Sequence, residues 1–209
     1  MLRDIRIDYE SSSIDKETIN PDPLKQFQEW MNEALASQQL EPTAMVLSTV
    51  DDQLQPHSRV VLLKELSEMG FTFYTNYEGH KAQQIAQNSA VSLLFFWPLL
   101  ERQVRITGRI EKTDEASSLE YFKTRPLDSQ LGAWASPQSE VIPNHKFLEK
   151  RFQHYKNKFN NDVPKPIHWG GYIVKPQSIE FWQGRRNRLH DRLLFTLLDN
   201  QWSIATLAP

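Results

Sequence analysis

The sequence has no cysteine, which excludes disulfide frameworks, thiol nucleophiles and cysteine-ligated metals. Glycine is scarce, 7 residues in 209, and no GxGxxG turn or GxxxxGK[ST] phosphate loop is present. HExxH and GxSxG are missing too, and the 6 histidines are scattered, so no metal site is expected. Neither sign of charge dominates: 24 Lys+Arg stand against 26 Asp+Glu. A nucleic-acid protein usually carries a strong basic excess, so no nucleic-acid partner is expected. No apolar run approaches the roughly 20 residues of a membrane span, and the longest candidate, AVSLLFFWPLL, is broken by Pro98. The opening MLRDIRIDYESSS lacks the apolar stretch and cleavage site of a secretory signal. The expectation is a cytoplasmic protein with no membrane partner.

What is present suits a packed core, with 39% hydrophobic and 24% charged residues. Residues 1–20 are polar and include the triplet Ser11–Ser13. They are expected to form a mobile arm, with 21–209 as a single domain. In NPDPLKQFQEWMNEALASQ, Asp22 suits a helix N-cap and Pro23 the first helical position. Leu24, Phe27, Trp30, Met31, Ala34 and Leu35 recur at helical spacing. HKAQQIAQN, DEASSLEYFKTR and HKFLEKRFQHYKNKF predict three more helices. The last carries Phe147, Leu148, Phe152, Tyr155 and Phe159 as one apolar stripe, expected in the core.

Strands are predicted at TAMVLSTV, SRVVLLKEL, FTFYTN, AVSLLFFW and RQVRITGRIEKT, all rich in β-branched and aromatic residues. GGYIVKP, SIEFWQG, RLHDRLLFTLL and QWSIAT follow near the end. Short links favour antiparallel neighbours. About eight strands so linked predict a mainly β fold with peripheral helices, closed or nearly closed into a barrel.

Cationic groups gather near strand ends and helix starts. Arg59 and Lys64 bracket the apolar run RVVLLK at odd spacing, so on a regular strand they face opposite sides. Tyr74 and Thr75 end a strand just before Lys81 in a first helical turn, a good phosphate seat. YFKTRPLDS offers Tyr121, Arg125 and Ser129, which together can grip a second phosphate. In RLHDR, read as one strand, Arg188, His190 and Arg192 share a face. Each group also has an ordinary reading as a solvated charge or a helix-core aromatic.

The segments RVVLLK, FYTN…HKAQQI, SLLFFW…LERQV, YFKTRPLDSQLGAWASPQS, WGGY, IEFWQGRRNRLHDR and the final LAP occur in this order. Together they closely resemble the pyridoxamine 5′-phosphate oxidase family, from about Asp22 to Pro209. The resemblance implies an antiparallel FMN-binding split β-barrel that acts as a homodimer with two active sites at the subunit interface. It implies oxidation of pyridoxine 5′-phosphate or pyridoxamine 5′-phosphate to pyridoxal 5′-phosphate, with FMN as cofactor and O2 as final acceptor.

Carried over by motif, Arg59, Val60, Val61, Leu62, Leu63 and Lys64 line FMN, with Arg59 at its phosphate. Tyr74, Thr75, His80 and Lys81 continue that site, and Gln103, Gln138 and Ser139 hydrogen-bond the cofactor. Trp182 and Arg192 flank the flavin ring. Lys64, Tyr121, Arg125 and Ser129 hold the substrate phosphate, while Arg188 and His190 meet its reacting end as the catalytic pair. Arg6 and Tyr9, in RIDY, match a segment that folds over the substrate as a lid.

His80 stands where the family often has arginine. Histidine is only partly charged near neutrality, so FMN binding is expected to weaken from pH 6 to 8. Two rival readings are a split-barrel flavin reductase with another substrate and a non-catalytic flavin or B6-phosphate carrier. RPLDS with RLHDR speaks against the first, and the presence of both half-sites against the second.

Overall fold

The computed structural model of the chain describes Tyr9 and residues 12–209. Helix α1 (Pro23–Ala36) starts where expected: the Asp22 carboxylate accepts from the backbone N–H of Leu24 and Lys25, and Pro23 opens the first turn. Its buried face carries Phe27, Trp30, Met31 and Ala34. Phe27 lies 4.9 Å, ring centre to ring centre, from both Phe71 and Phe95. Truncating such a ring costs about 3–5 kcal/mol, so this face pins α1 to the sheet far more strongly than its cap, worth about 1 kcal/mol.

The sheet follows as β1 (Ala44–Val50), β2 (Pro56–Leu62), β3 (Glu65–Ser67), β4 (Gly70–Asn76), β5 (Ala90–Trp97), β6 (Arg102–Lys112), β7 (Trp169–Gln183), β8 (Asp191–Leu198) and β9 (Gln201–Thr206). Helix α2 (His80–Gln87) lies between β4 and β5. Helices α3 (Glu115–Thr124), α4 (Leu127–Ala135) and α5 (His145–Phe159) fill the long connection from β6 to β7. The strand order is β2-β1-β5-β6-β7-β4-β3, with β8 and β9 added beside β7. Every pairing is antiparallel, and the sheet curls into a split half-barrel.

Strand β7 organises the molecule. One edge pairs with β6 along nearly its whole length. The other edge pairs first with β4, from Trp169 to Val174, and then with β8, from Ser178 to Gln183. Pro176 sits where the neighbour changes, so its missing N–H breaks no ladder on that edge. The register with β6 shifts at the same place, between Thr107 and Gly108, leaving a bulge. GGYIVKP and SIEFWQG are therefore one strand rather than two.

Three further expectations are corrected. SRVVLLKEL is not one strand, because β2 ends at Leu62 and β3 begins at Glu65. RLHDR is not a strand either: residues 184–190 reverse the chain between paired β7 and β8, and only Asp191 and Arg192 belong to β8. The apolar stripe of α5 is not core; none of its residues is fully buried. Phe152, Tyr155 and Phe159 instead cover a small satellite cluster of Phe122, Leu131, Val163 and Trp169. Among the described residues no helix is long and apolar enough to cross a membrane.

Candidate functional site

The break between β2 and β3 turns the chain and opens a cavity of about 500 Å³. Val60, Val61, Leu62 and Lys64 form one wall. The turn resolves the parity problem of Arg59 and Lys64, since the two no longer share one regular strand. Leu63 points the other way, into the core at 7% exposure, and does not line the cavity as predicted.

One end of the cavity is built around α2. Gly79 is its N-cap and supplies no capping side chain. A Cβ there would lie 2.8 Å from Oε1 of Gln138 and 3.2 Å from Oγ of Ser139, so glycine lets that loop reach the helix start. The Lys81 ammonium donates to Oγ1 of Thr75 at 3.0 Å and to Oε1 of Gln138. The backbone N–H of His80 donates to Oγ of Ser139 at 3.3 Å, while the His80 side chain is exposed. Arg59 lies alongside: Nη1 donates to Oγ1 of Thr49 at 2.6 Å and Nη2 to Oε1 of Gln84 at 3.0 Å. Burial, helped by the charge of Arg59, pushes the Lys81 ammonium down to about 8. Two cations held close with an open helix start make a site for an anion.

The other end rests on α3 and α4. Tyr74 and Tyr121 stack with centroids 3.9 Å apart and planes 13° from parallel. Burial first, then the carboxylate of Glu65, pushes the Tyr74 phenol up to about 12, so it remains a neutral hydrogen-bonding group. Arg125 lies over Trp169, 4.7 Å from the ring centre. Its Nη1 is buried with no hydrogen-bond partner among the described residues. A buried, unpaired charged donor costs free energy unless something fills it. Ser129 and Lys64 line the same cavity. Burial lowers the Arg125 pKa, but a guanidinium stays charged.

The remaining predicted residues lie elsewhere. Gln103 on β6 is opposite Trp182 on β7, which is opposite Arg192 on β8. These three form one row across three strands. His190 packs on Trp182 with centroids 4.6 Å apart, and Tyr9 meets both rings edge-on at 5.7 Å. Nδ1 of His190 accepts the backbone N–H of Arg185 at 3.1 Å, which leaves Nε2 to face a ligand. Arg188 is exposed, on a turn where Asn187 (φ 58) and Arg188 (φ 62) are both left-handed. Such backbone costs roughly 1–2 kcal/mol per residue and is kept where neighbours enforce it. Arg6 lies outside the described residues.

Trp169 and Trp182 stand near opposite ends of β7, a strand of 15 residues. A straight strand of that length spans on the order of 50 Å. Trp169 lines the cavity, whereas Gln103, Trp182 and Arg192 do not, and Trp182 stands 182 − 169 = 13 positions further along the strand. Trp169, Thr124 and Pro126 line the cavity and were not among the predicted residues. WGGY contains Trp169, but nothing in its spacing places that ring beneath Arg125.

Fold and cavity together define a split-barrel protein with a cation-lined cavity. A family model described as "Pyridoxamine 5′-phosphate oxidase" matches residues 31–159. A second, "Pyridoxine 5′-phosphate oxidase C-terminal dimerisation region", matches 169–209. The pyridoxine/pyridoxamine 5′-phosphate oxidase of Nostoc sp. strain PCC 7120 is 49% identical over 210 residues, covering 100% of this chain and 98% of its own. The pyridoxine/pyridoxamine 5′-phosphate oxidase 1 of Ralstonia nicotianae is 50% identical over 209 residues, covering 100% and 99%. The chain belongs to the pyridoxamine 5′-phosphate oxidase family. Among solved structures, PhzG from Burkholderia lata 383, in complex with tetrahydrophenazine-1-carboxylic acid, shares the fold with a TM-score of 0.90 at 23% identity, covering 96% of this chain and 100% of that one. A pyridoxamine 5′-phosphate oxidase-related, FMN-binding protein from Nostoc punctiforme PCC 73102 gives 0.73 at 17%, covering 91% and 100%.

Proposed function

We propose that the chain is an FMN-dependent oxidase that converts pyridoxine 5′-phosphate or pyridoxamine 5′-phosphate to pyridoxal 5′-phosphate in the cytoplasm. The observation that carries this reading is the buried, partnerless Nη1 of Arg125 in a cavity shared with Lys64, Tyr121 and Ser129. A phosphate monoester carries close to two negative charges and several acceptor oxygens, the complement of that donor set. The helix start with Lys81, Arg59, Thr75 and Gln138 suits a second phosphate, that of FMN, and His80 and Ser139 border it. Two anion seats in one cavity fit a phosphorylated substrate beside a phosphorylated cofactor better than they fit a reductase of an uncharged substrate.

FMN supplies a two-electron acceptor that dioxygen reoxidises, with hydrogen peroxide as product. The chain's own groups bind and orient. Val60, Val61 and Leu62 offer an apolar wall with backbone donors and acceptors at the turn. Gln103, Trp182 and Arg192 would hold the flavin ring, and a fixed guanidinium there would favour negative charge on it. Arg188 and His190 meet the reacting carbon of the substrate, with Nε2 of His190 free for its hydroxyl or amine. Tyr9, edge-on to Trp182 and His190, would close over this end as a lid.

These ring-side groups do not line the cavity of their own chain. The reading therefore needs a homodimer in which each cavity is completed by the Trp182 end of the partner. The match of 169–209 to a dimerisation region supports this, since β7, β8 and β9 make up that stretch.

The test is anaerobic mixing of the FMN-loaded protein with pyridoxine 5′-phosphate. Bleaching of the flavin, followed in air by oxygen uptake and a new aldehyde absorbance, is the expected result. A flavin that stays oxidised with both phosphorylated substrates would overturn the reading.

A further inference from the structure

Glu180 faces the wrong way for a buried carboxylate. Its neighbours Ile179 and Phe181 point into the core at 0% exposure, so Glu180 points to the opposite face of the sheet. It is nonetheless only 2% exposed. Two guanidiniums cover it. Arg105, directly across on β6, donates from Nη2 to one oxygen. Arg192, diagonal on β8, donates from Nε to the other at 2.9 Å. A second bond, from Nη1 of Arg192 to the carbonyl of Ala208 at 2.7 Å, fixes the guanidinium plane. Trp182 is on the same face as Glu180 and is the cross-strand partner of Arg192.

A carboxylate buried between two cations is not the cheapest way to stabilise a sheet. Desolvation offsets most of the Coulomb gain, and apolar residues of similar volume often serve as well. What the arrangement does provide is orientation. An arginine at the end of a flexible stem loses rotamer freedom when two of its nitrogens are held, and the third, Nη2, is then aimed rather than free. Among the described residues Nη2 of Arg192 has no bond to protein.

We propose that Glu180 is a positioning residue: it fixes the Arg192 guanidinium beside Trp182 so that Nη2 meets the flavin ring. The proposal rests on the reading of Arg192 as a flavin contact. Arg105 balances the carboxylate from the far side, so that Arg192 keeps its net cationic field.

A double-mutant cycle tests it, read out as the FMN dissociation constant and the flavin midpoint potential rather than turnover alone. Arg192→Ala removes a positive charge where negative charge develops, so the potential falls and the dissociation constant rises about tenfold. Glu180→Ala reproduces most of the loss of FMN affinity, its potential is not raised as the loss of a carboxylate alone would raise it, and the double variant is no worse than Arg192→Ala. Glu180→Gln, which keeps an acceptor for Nε, restores FMN affinity to within about twofold of wild type. Should Glu180→Ala not fold, Glu180→Asp, which keeps the charge but shortens the reach, must show the same non-additive shifts in smaller form. Additive effects, or a lower melting temperature with potential and affinity unmoved, would refute a positioning role and mark Glu180 as structural. If Arg192→Ala itself moves neither quantity, the flavin contact fails first and the proposal falls with it, a result distinct from silence at Glu180 alone.

Discussion

The two ends of β7 are finished differently. At the Trp169 end, Arg125 lies on the indole with a buried donor that no protein acceptor meets. At the Trp182 end the polar groups are engaged by the chain itself. Gln183 accepts from Ser12 and Arg102 and donates to the carbonyls of Leu100 and Glu101. Asp191 takes the N–H of Ile14 and the guanidinium of Arg185, and Glu180 takes Arg192. One end is a set of donors waiting for anions; the other is a braced surface with a row of groups facing outward. On the function proposed above, the first end suits the charged ends of the ligands, and the second suits a rigid wall that a partner copy would bring to their planar, reacting ends.

The largest effect should come from breaking the contrast at its open end. Arg125→Ala should raise KM for pyridoxine 5′-phosphate by about 100-fold, as expected for loss of a charge-assisted pair with phosphate, and leave FMN affinity within about twofold. Arg188→Ala should do the opposite, lowering kcat with little change in FMN binding, and steady-state kinetics beside a fluorescence titration of the apo-protein separate the two. If both variants behave alike, the division between phosphate end and reacting end is wrong. Arg59→Ala comes next: FMN should bind about tenfold more weakly while the substrate KM of the saturated enzyme holds.

A smaller effect concerns pH. The folded value of Lys81, about 8, is depressed below the ordinary 10.5 because burial disfavours its charge. Without ligand the ammonium is therefore partly lost above pH 8, and binding a phosphate must draw a proton back. FMN affinity should be flat from pH 6 to 7.5 and fall between 8 and 9.5, and Lys81→Arg should flatten that fall. A decline confined to pH 6–8 and abolished by His80→Arg would instead assign it to His80, whose exposed side chain borders the same helix start. The smallest effect is at the lid. A Cβ on Gly184 would lie 2.7 Å from the ring of Tyr9, so Gly184→Ala should displace that ring. The expected result is a rise in substrate KM of about two- to threefold with FMN affinity unchanged.

Much of this was legible in the sequence because it is local. Asp22 caps the helix that follows it, as its position predicts, and runs rich in β-branched and aromatic residues mark β1, β4, β5 and β6. Misreadings arose where local pattern and topology disagree. RVVLLKEL is apolar through the bend at Leu63, so nothing local announces it. Pro176 ordinarily ends a strand, but a change of partner lets β7 run through it. Arg188 and His190 mimic strand alternation with Arg192 although they lie in the reversal before β8. Helix α4 was not anticipated because only Leu131 and Ala135 of its residues are buried, too few for a stripe. The candidate residues are picked out by type and motif, yet their division between the two ends of β7 follows from which strand pairs with which edge. No window of sequence contains that information.

Subunit complementation tests the shared site most directly. Arg125→Ala and Arg188→Ala chains, each nearly inactive alone, are mixed, and subunit exchange is verified with a labelled chain. Each heterodimer then holds one cavity with both ends intact and one with both impaired. Activity should return to roughly a quarter of wild type at equal mixing, since half the dimers are mixed and each has one good site. A mixture that exchanges fully and stays as inactive as its parents would show that each chain completes its own site, contradicting the account.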